Sequence, residues 1–174
     1  MKFIRRCLAL GLASITGFGV LALSPIAAQA AVDPLHDGLS EATAAASCWE
    51  IKQNNPRSEN GTYWLQTATM DAPRQFFCDQ STDGGGWVLI GRGREGWETW
   101  SQGKGDESKL ATRSRTPGDF EVIQASHETV NGLLGGTKVS DLADGVMVQR
   151  AWNYRGTAYQ TVRMQFPKMR DFIW

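Results

Sequence analysis

The chain has 174 residues, 41% of them hydrophobic and 21% charged, with 18 basic side chains balanced by 18 acidic ones. Removal of the N-terminal leader described below takes away Lys2, Arg5 and Arg6 and no acid, leaving 15 against 18, a net charge of −3. That balance excludes nucleic acid or an anionic membrane as the main partner, and the remaining length suits one domain with a modest core.

Residues 1–30 read as a secretory signal peptide. Lys2, Arg5 and Arg6 form a positive n-region, Cys7 to Leu23 is an apolar run, and Ala28-Gln29-Ala30 supplies a small-residue site for cleavage before Ala31. An uncleaved membrane anchor is the competing reading, but the run is slightly short for a span. The product is expected to be secreted, with no membrane contact after cleavage. Residues 31–46 contain Pro34 and a small, polar run, and are expected to be a flexible or weakly helical linker.

From residue 47 the texture changes. Ser47-Cys48-Trp49-Glu50-Ile51-Lys52 predicts a short helix with Ser47 as N-cap and Glu50 completing a capping box. Pro56 disfavours helix at Asn55 and ends it. Asn60-Gly61 signals a turn into a strand over Thr62–Thr67, and Asn60-Gly61-Thr62 also spells a glycosylation sequon, for which the turn is the preferred reading. Arg74–Asp79 predicts a second strand ending at Cys78, and Trp87–Ile90 a buried one. Between them, Thr82-Asp83-Gly84-Gly85-Gly86-Trp87 implies a backbone path that side chains would block, because three consecutive glycines are costly to order.

Residues 91–119 read as loop. Ser126–Leu134 predicts a helix capped by Ser126 and ended by Gly135-Gly136. A hairpin follows, from Val146–Trp152 and Ala158–Phe166. Val162, Met164 and Phe166 share one face of its second strand and Tyr159, Thr161 and Arg163 the other, which predicts a half-buried sheet. The chain stops at Asp171-Phe172-Ile173-Trp174, an apolar end expected either to dock into the core or to lack a continuation.

Cys48 and Cys78 are the two cysteines outside the leader, and an even pair in an exported chain most simply forms one disulfide. Its loop of about 30 residues makes it worth roughly 3–4 kcal/mol in the chain-entropy model. Two cysteines with the distant His36 and His127 do not make a zinc ligand set.

Ser47 to Pro56, Gly61-Thr62-Tyr63-Trp64-Leu65, Phe77-Cys78-Asp79 and Thr82 to Trp87 together resemble the opening of a fibrinogen-like domain. The spelling is similar to the intelectin (X-type lectin) branch and to bacterial secreted proteins with an FCD…GGGW segment. The resemblance is specific over Ser47 to Ile90 and looser beyond Gly91. It implies a mixed α+β fold, a disulfide between Cys48 and Cys78, and, in many members, calcium-dependent recognition of glycans. The calcium and ligand residues lie in the C-terminal half of the family's domain. Residues 47–174 are therefore expected to be its C-terminally incomplete N-terminal part, with no cofactor in this chain. Asp79, Asp83, Gly84, Gly85, Gly86 and Trp87 are expected to form a structural turn.

Other chemistry weighs less. Gly91-Arg92-Gly93-Arg94-Glu95-Gly96 matches a dinucleotide fingerprint but lacks the helix that meets the pyrophosphate. Arg92, Arg94, Trp97 and Trp100 could line a sugar wall by stacking and hydrogen bonding, against the alternative of packed tryptophans and solvated arginines. Asp79, Thr82 and Asp83 are too few for calcium, and their oxygens better suit a turn. No G-x-S-x-G elbow accompanies His127, and paired acids such as Asp141 and Asp144 are not specific. The leading expectation is a secreted, non-catalytic module that binds glycans or cell-surface polysaccharide. The alternatives are an exported hydrolase or an accessory domain of one, and a truncated product lacking the ligand site.

Overall fold

The computed structural model describes residues 2–5, 36–93, 102–113, 121–153 and 158–168. The leader from residue 6 with its cleavage site, the hairpin tip at 154–157 and the C-terminal 169–174 lie outside the described residues.

Among the described residues, seven strands form one antiparallel sheet. They are β1 (Lys2–Ile4), β2 (Gly61–Leu65), β3 (Arg74–Asp79), β4 (Trp87–Arg92), β5 (Ile123–Gln124), β6 (Val146–Ala151) and β7 (Tyr159–Met164). Their order is β2-β3-β4-β1-β6-β7, with β5 off this path, pairing with the end of β4 on the edge opposite β1. Two helices pack on the sheet, α1 (Cys48–Asn54) and α2 (His127–Leu134). The fold is α+β, a small disulfide-linked unit joined to an antiparallel sheet.

Local chemistry accounts for the helix ends. Ser47 Oγ accepts from Glu50 N at 3.0 Å, and the Glu50 carboxylate reaches back to Ala46 N at 2.6 Å. The first bond satisfies a donor that a helix start leaves open, and the second ties the Glu50 carboxylate to the residue before the cap. Asn55, ahead of Pro56, takes extended backbone and closes the helix. In α2 Ser126 Oγ accepts from Thr129 N, and Gly135 closes the helix in the left-handed region at φ 54°.

The core fills the space between sheet and helices. Trp87, Phe76, Leu65, Leu89, Ile90 and Ile51 are each at most 1% exposed. Burying each such side chain contributes about 1.5–3 kcal/mol before entropy is subtracted. The disulfide Cys48–Cys78 links α1 to β3, with Cα atoms 5.6 Å apart.

Four features differ from the sequence-based expectations. Residues 36–46 are packed on β2 and do not behave as a linker: Trp64 N donates to Gly38 O at 2.7 Å and Gln66 N to Ala45 O at 2.8 Å, with Ala45 fully buried. A 3-10 helix over Glu107–Ala111 buries Leu110 inside the stretch read as loop. β7 is exposed on both faces rather than half-buried. Val162 is 55% exposed and Met164 40%, because no described residue covers the outer end of that face. Finally Lys2–Ile4, read as the head of the leader, form a central strand.

Candidate functional site

The β3–β4 turn is built around one carboxylate. Asp79, at the end of β3, is fully buried. Its Oδ1 accepts from Ser81 N at 3.1 Å, Ser81 Oγ at 3.1 Å and Thr82 N at 2.9 Å, and its Oδ2 from Thr82 Oγ1 at 2.7 Å. Arg113 Nη1 lies 3.6 Å from Oδ2. Burial by itself would raise the carboxyl's pKa, but the hydrogen bonds from Thr82 and Ser81 outweigh it and hold the group below the usual range. Oxygens so engaged organise the turn.

The glycines follow from that turn. Asp83 is a non-glycine residue at φ 49°, and Gly84, Gly85 and Gly86 all have φ between 80° and 85°. A Cβ on Gly85 would sit 2.4 Å from Gln80 O, and one on Gly86 2.6 Å from Trp49 Cε3. The chain passes so close to α1 that only hydrogen fits. Trp87 then enters the core and donates Nε1–H to Thr82 O at 3.0 Å.

Gln80 was not singled out from the sequence. Its buried Nε2 donates to Cys48 O at 2.9 Å and its Oε1 accepts from Gly86 N at 2.9 Å, tying α1, the disulfide and the glycine turn together. Asn60 supports it, accepting from Gln80 N at 2.5 Å and donating to Ser81 Oγ at 2.8 Å. A glutamine between an aspartate and a turn carries no sequence signature of such a role.

Of the candidate sugar-wall residues, Arg92 is the one among the described residues. Arg92 is only 4% exposed and donates Nη1–H to Thr112 O at 3.0 Å, so it lies inside the fold and not on an open face. Its position at the end of a strand buried on both faces is the reason. Arg94, Trp97 and Trp100 lie outside the described residues. Among the described residues, no three His, Cys, Asp or Glu side chains gather as a metal-ligand set.

An open cleft of mixed polar and apolar lining runs along α2, about 670 Å³ in volume, bordered by Thr69, His127, Asn131 and Lys138 on the polar side and by Leu134 and Val139 on the apolar one. The helix is held firmly behind it. Glu107 accepts from Ser126 N and Thr129 Oγ1, both at 2.6 Å, and pairs with Arg74 at 3.1 Å. Burial would raise the Glu107 carboxyl, but the bonds from Thr129, Ser126 and Arg74 lower it overall. Thr67 and Thr69 hydroxyls both donate to Gly132 O, anchoring the far end of the helix. A rigid wall thus presents hydroxyl, amide, carboxylate and ammonium groups to one open space. That set suits a ligand rich in hydroxyls. Sequence reasoning found neither a zinc set nor a nucleophile elbow around His127 and did not join it to Thr69 or Lys138.

No protein-family model matches the chain. It is 35% identical over 69 residues to angiopoietin-4 of Mus musculus, covering 36% of this chain and 13% of that protein. The human angiopoietin-4 gives 38% identity over 66 residues, 34% of this chain and 13% of the relative. Tenascin-N of Homo sapiens is 27% identical over 135 residues, 65% of this chain and 10% of the relative. The chain carries a fibrinogen-like segment. The chain spans about a tenth of the length of the curated relatives it matches. Its α+β fold and its Cys48–Cys78 disulfide agree with that assignment.

Proposed function

We propose that the fibrinogen-like chain is a non-catalytic recognition module that acts outside the cell, with carbohydrate as its ligand class and the α2 cleft as its contact surface. The observation that carries the extracellular, non-catalytic part is the similarity to angiopoietin-4 and tenascin-N. The oxidised cysteine pair supports the same compartment. The carbohydrate part rests on the cleft: Asn131, Thr137 and Lys138 bring donors and acceptors to an open space bordered by the apolar Leu134 and Val139. Recognition of a polyhydroxylated ligand by such groups depends on many pairwise hydrogen bonds, each modest in net terms.

Glycan-array binding of the secreted chain, with and without calcium and with a chelator, tests this reading. Binding that survives the chelator and falls at least tenfold in both Asn131→Ala and Lys138→Ala is the expected result. Binding that neither substitution changes rejects the cleft as the contact. Turnover of a bound glycan moves the chain to the exported-hydrolase alternative.

A further inference from the structure

Asn60 is exposed, just ahead of β2, yet both ends of its carboxamide are committed. Oδ1 accepts from Gln80 N at 2.5 Å, and Nδ2 donates to Ser81 Oγ at 2.8 Å. Ser81 Oγ in turn donates its own proton to Asp79 Oδ1 at 3.1 Å. A hydroxyl has one proton, so the direction of donation from Asn60 through Ser81 to Asp79 is fixed. Gln80 ties Cys48 O to Gly86 N. The Asn60 amide therefore holds the glycine turn from the β2 side.

Gly61 opens β2 opposite Cys78. Neither Asn60 nor Gly61 takes the positive φ that suits Asn-Gly to a two-residue hairpin turn. A Cβ on Gly61 would meet Tyr63 Cε2 at 3.8 Å, an ordinary contact, so the fold does not require a glycine there. What the glycine does supply is a main-chain nitrogen with no side chain beside it, one residue after a carboxamide. That is the arrangement in which a backbone amide attacks an asparagine.

We propose that Asn60-Gly61 is a self-modification site guarded by the fold. Pairing with Gln80 and Ser81 preserves the carboxamide in the native chain. Unfolding releases it to cyclise onto Gly61 N and hydrolyse, after which the turn cannot be rebuilt. In the first step Gly61 N gives up its proton and bonds to Asn60 Cγ, the Cγ–Nδ2 bond breaks, and Nδ2 leaves with that proton as ammonia. Water, the one co-reactant, then adds across one of the two imide C–N bonds. Opening at Cγ gives aspartate, and opening at the main-chain carbon gives isoaspartate; nothing is oxidised or reduced.

The intact turn opposes the first step, which removes the donor to Ser81 and closes the Asn60 carbonyl into a ring with its own main chain. Neither product fits afterwards. Aspartate sets an oxygen where Nδ2 stood, 2.8 Å from Ser81 Oγ, whose single proton Asp79 already holds. Two carboxylates then compete for one proton, and like charges so close repel. Isoaspartate adds a methylene to the main chain at the start of β2 and moves the pairing with Cys78 out of register.

The test holds the full chain, with its disulfide intact and free thiol alkylated, in mildly alkaline buffer, either native or in guanidinium chloride. Trypsin cutting after Arg57 and Arg74 isolates residues 58–74, in which Asn60 is the one asparagine, and mass spectrometry reads amide-to-acid exchange there. The second Asn-Gly step, Asn131-Gly132, falls on another peptide and is read separately. We expect exchange at Asn60 to be at least tenfold faster in denaturant than in the native chain. Gly61→Ala should slow it at least tenfold in denaturant, because a Cβ crowds the attacking nitrogen. After denaturant is removed, size-exclusion chromatography separates refolded from misfolded chain, and the exchanged peptide should be at least tenfold depleted in the refolded pool. Equal rates in the native and unfolded chain, or equal partition between the pools, overturns the proposal. So does a glycan on Asn60 of the exported product, since the sequon draws on the same nitrogen. Asn60→Asp gives a readout that needs no refolding: an unfolding midpoint below wild type at neutral pH supports the proposal, and an unchanged midpoint overturns it.

Discussion

Gly86 lies against Trp49 so closely that a Cβ on the glycine would come within 2.6 Å of the tryptophan Cε3 and 3.0 Å of its Cα. The contact joins the glycine turn to the first turn of α1, which the disulfide also fixes to β3. Gly86→Ala therefore meets two penalties, a left-handed backbone at φ 82° and a clash with backbone atoms that cannot turn aside. We expect a loss of about 2–4 kcal/mol, adding a left-handed cost of 1–2 kcal/mol to overpacking. The midpoint of urea unfolding measures it, and Gly84→Ala is the control. Its Cβ would come no nearer than 3.9 Å to its closest neighbour, so it carries the backbone term alone.

The disulfide spans a sequence separation of 30. Closing a loop of that size restricts the unfolded chain by about 3–4 kcal/mol. The double substitution Cys48→Ala and Cys78→Ala should lower stability by that amount and leave the circular dichroism of any remaining folded fraction unchanged. Reducing the wild-type chain should shift its unfolding midpoint in the same direction. An unchanged midpoint after complete reduction, verified by thiol titration, would refute the assignment of a stabilising role.

Much of the fold was legible because its signals are local. Ser47 and Glu50, Ser126 and Gly135 are cap chemistry within a few residues, and Arg74–Asp79 appears as a strand with the predicted bounds. The central position of Phe3 was not legible, since it depends on pairing with Leu89 and Met147 far along the chain. The same basic and apolar residues also satisfy the pattern of an export leader, and no local rule separates the two uses. Arg92 was misplaced for a related reason. Its charge suggests an exposed side chain, whereas β4 is flanked on both edges and covered on both faces. The α2 cleft was invisible because Thr69 and Lys138 meet only through tertiary packing, and neither belongs to a motif.

Acid should unfold the chain through its buried carboxylates. Asp79 and Glu107 both have folded pKa values below their ordinary 3.8 and 4.5, with the hydrogen bonds they accept outweighing desolvation. A depressed folded pKa makes a contribution that is fully present above the unfolded value and is lost as pH falls through the folded one. Stability should thus be flat from neutrality down to about pH 5 and fall steeply below 4.5. Asp79→Ala should cost about 3–5 kcal/mol at pH 7, since it leaves the nearly buried Arg113 without its carboxylate. The variant should also show a shallower acid limb in a pH series of denaturation midpoints. An acid limb as steep as wild type would remove Asp79 from this account.

The outer end of the sheet makes the opposite case, where substitution should cost nothing. Val162 and Met164 stand 55% and 40% exposed on β7, the last strand in the sheet order, and Trp152 at the end of β6 is 67% exposed. An edge strand with an open hydrogen-bonding side and apolar side chains invites pairing with another copy. Val162→Lys and Met164→Glu remove apolar surface without opening a cavity, so each should change stability by no more than about 0.5 kcal/mol. They should nevertheless reduce concentration-dependent light scattering, because charge on an edge opposes strand-to-strand association. A loss of stability above 1 kcal/mol in either variant would mean that this face is covered in the folded chain.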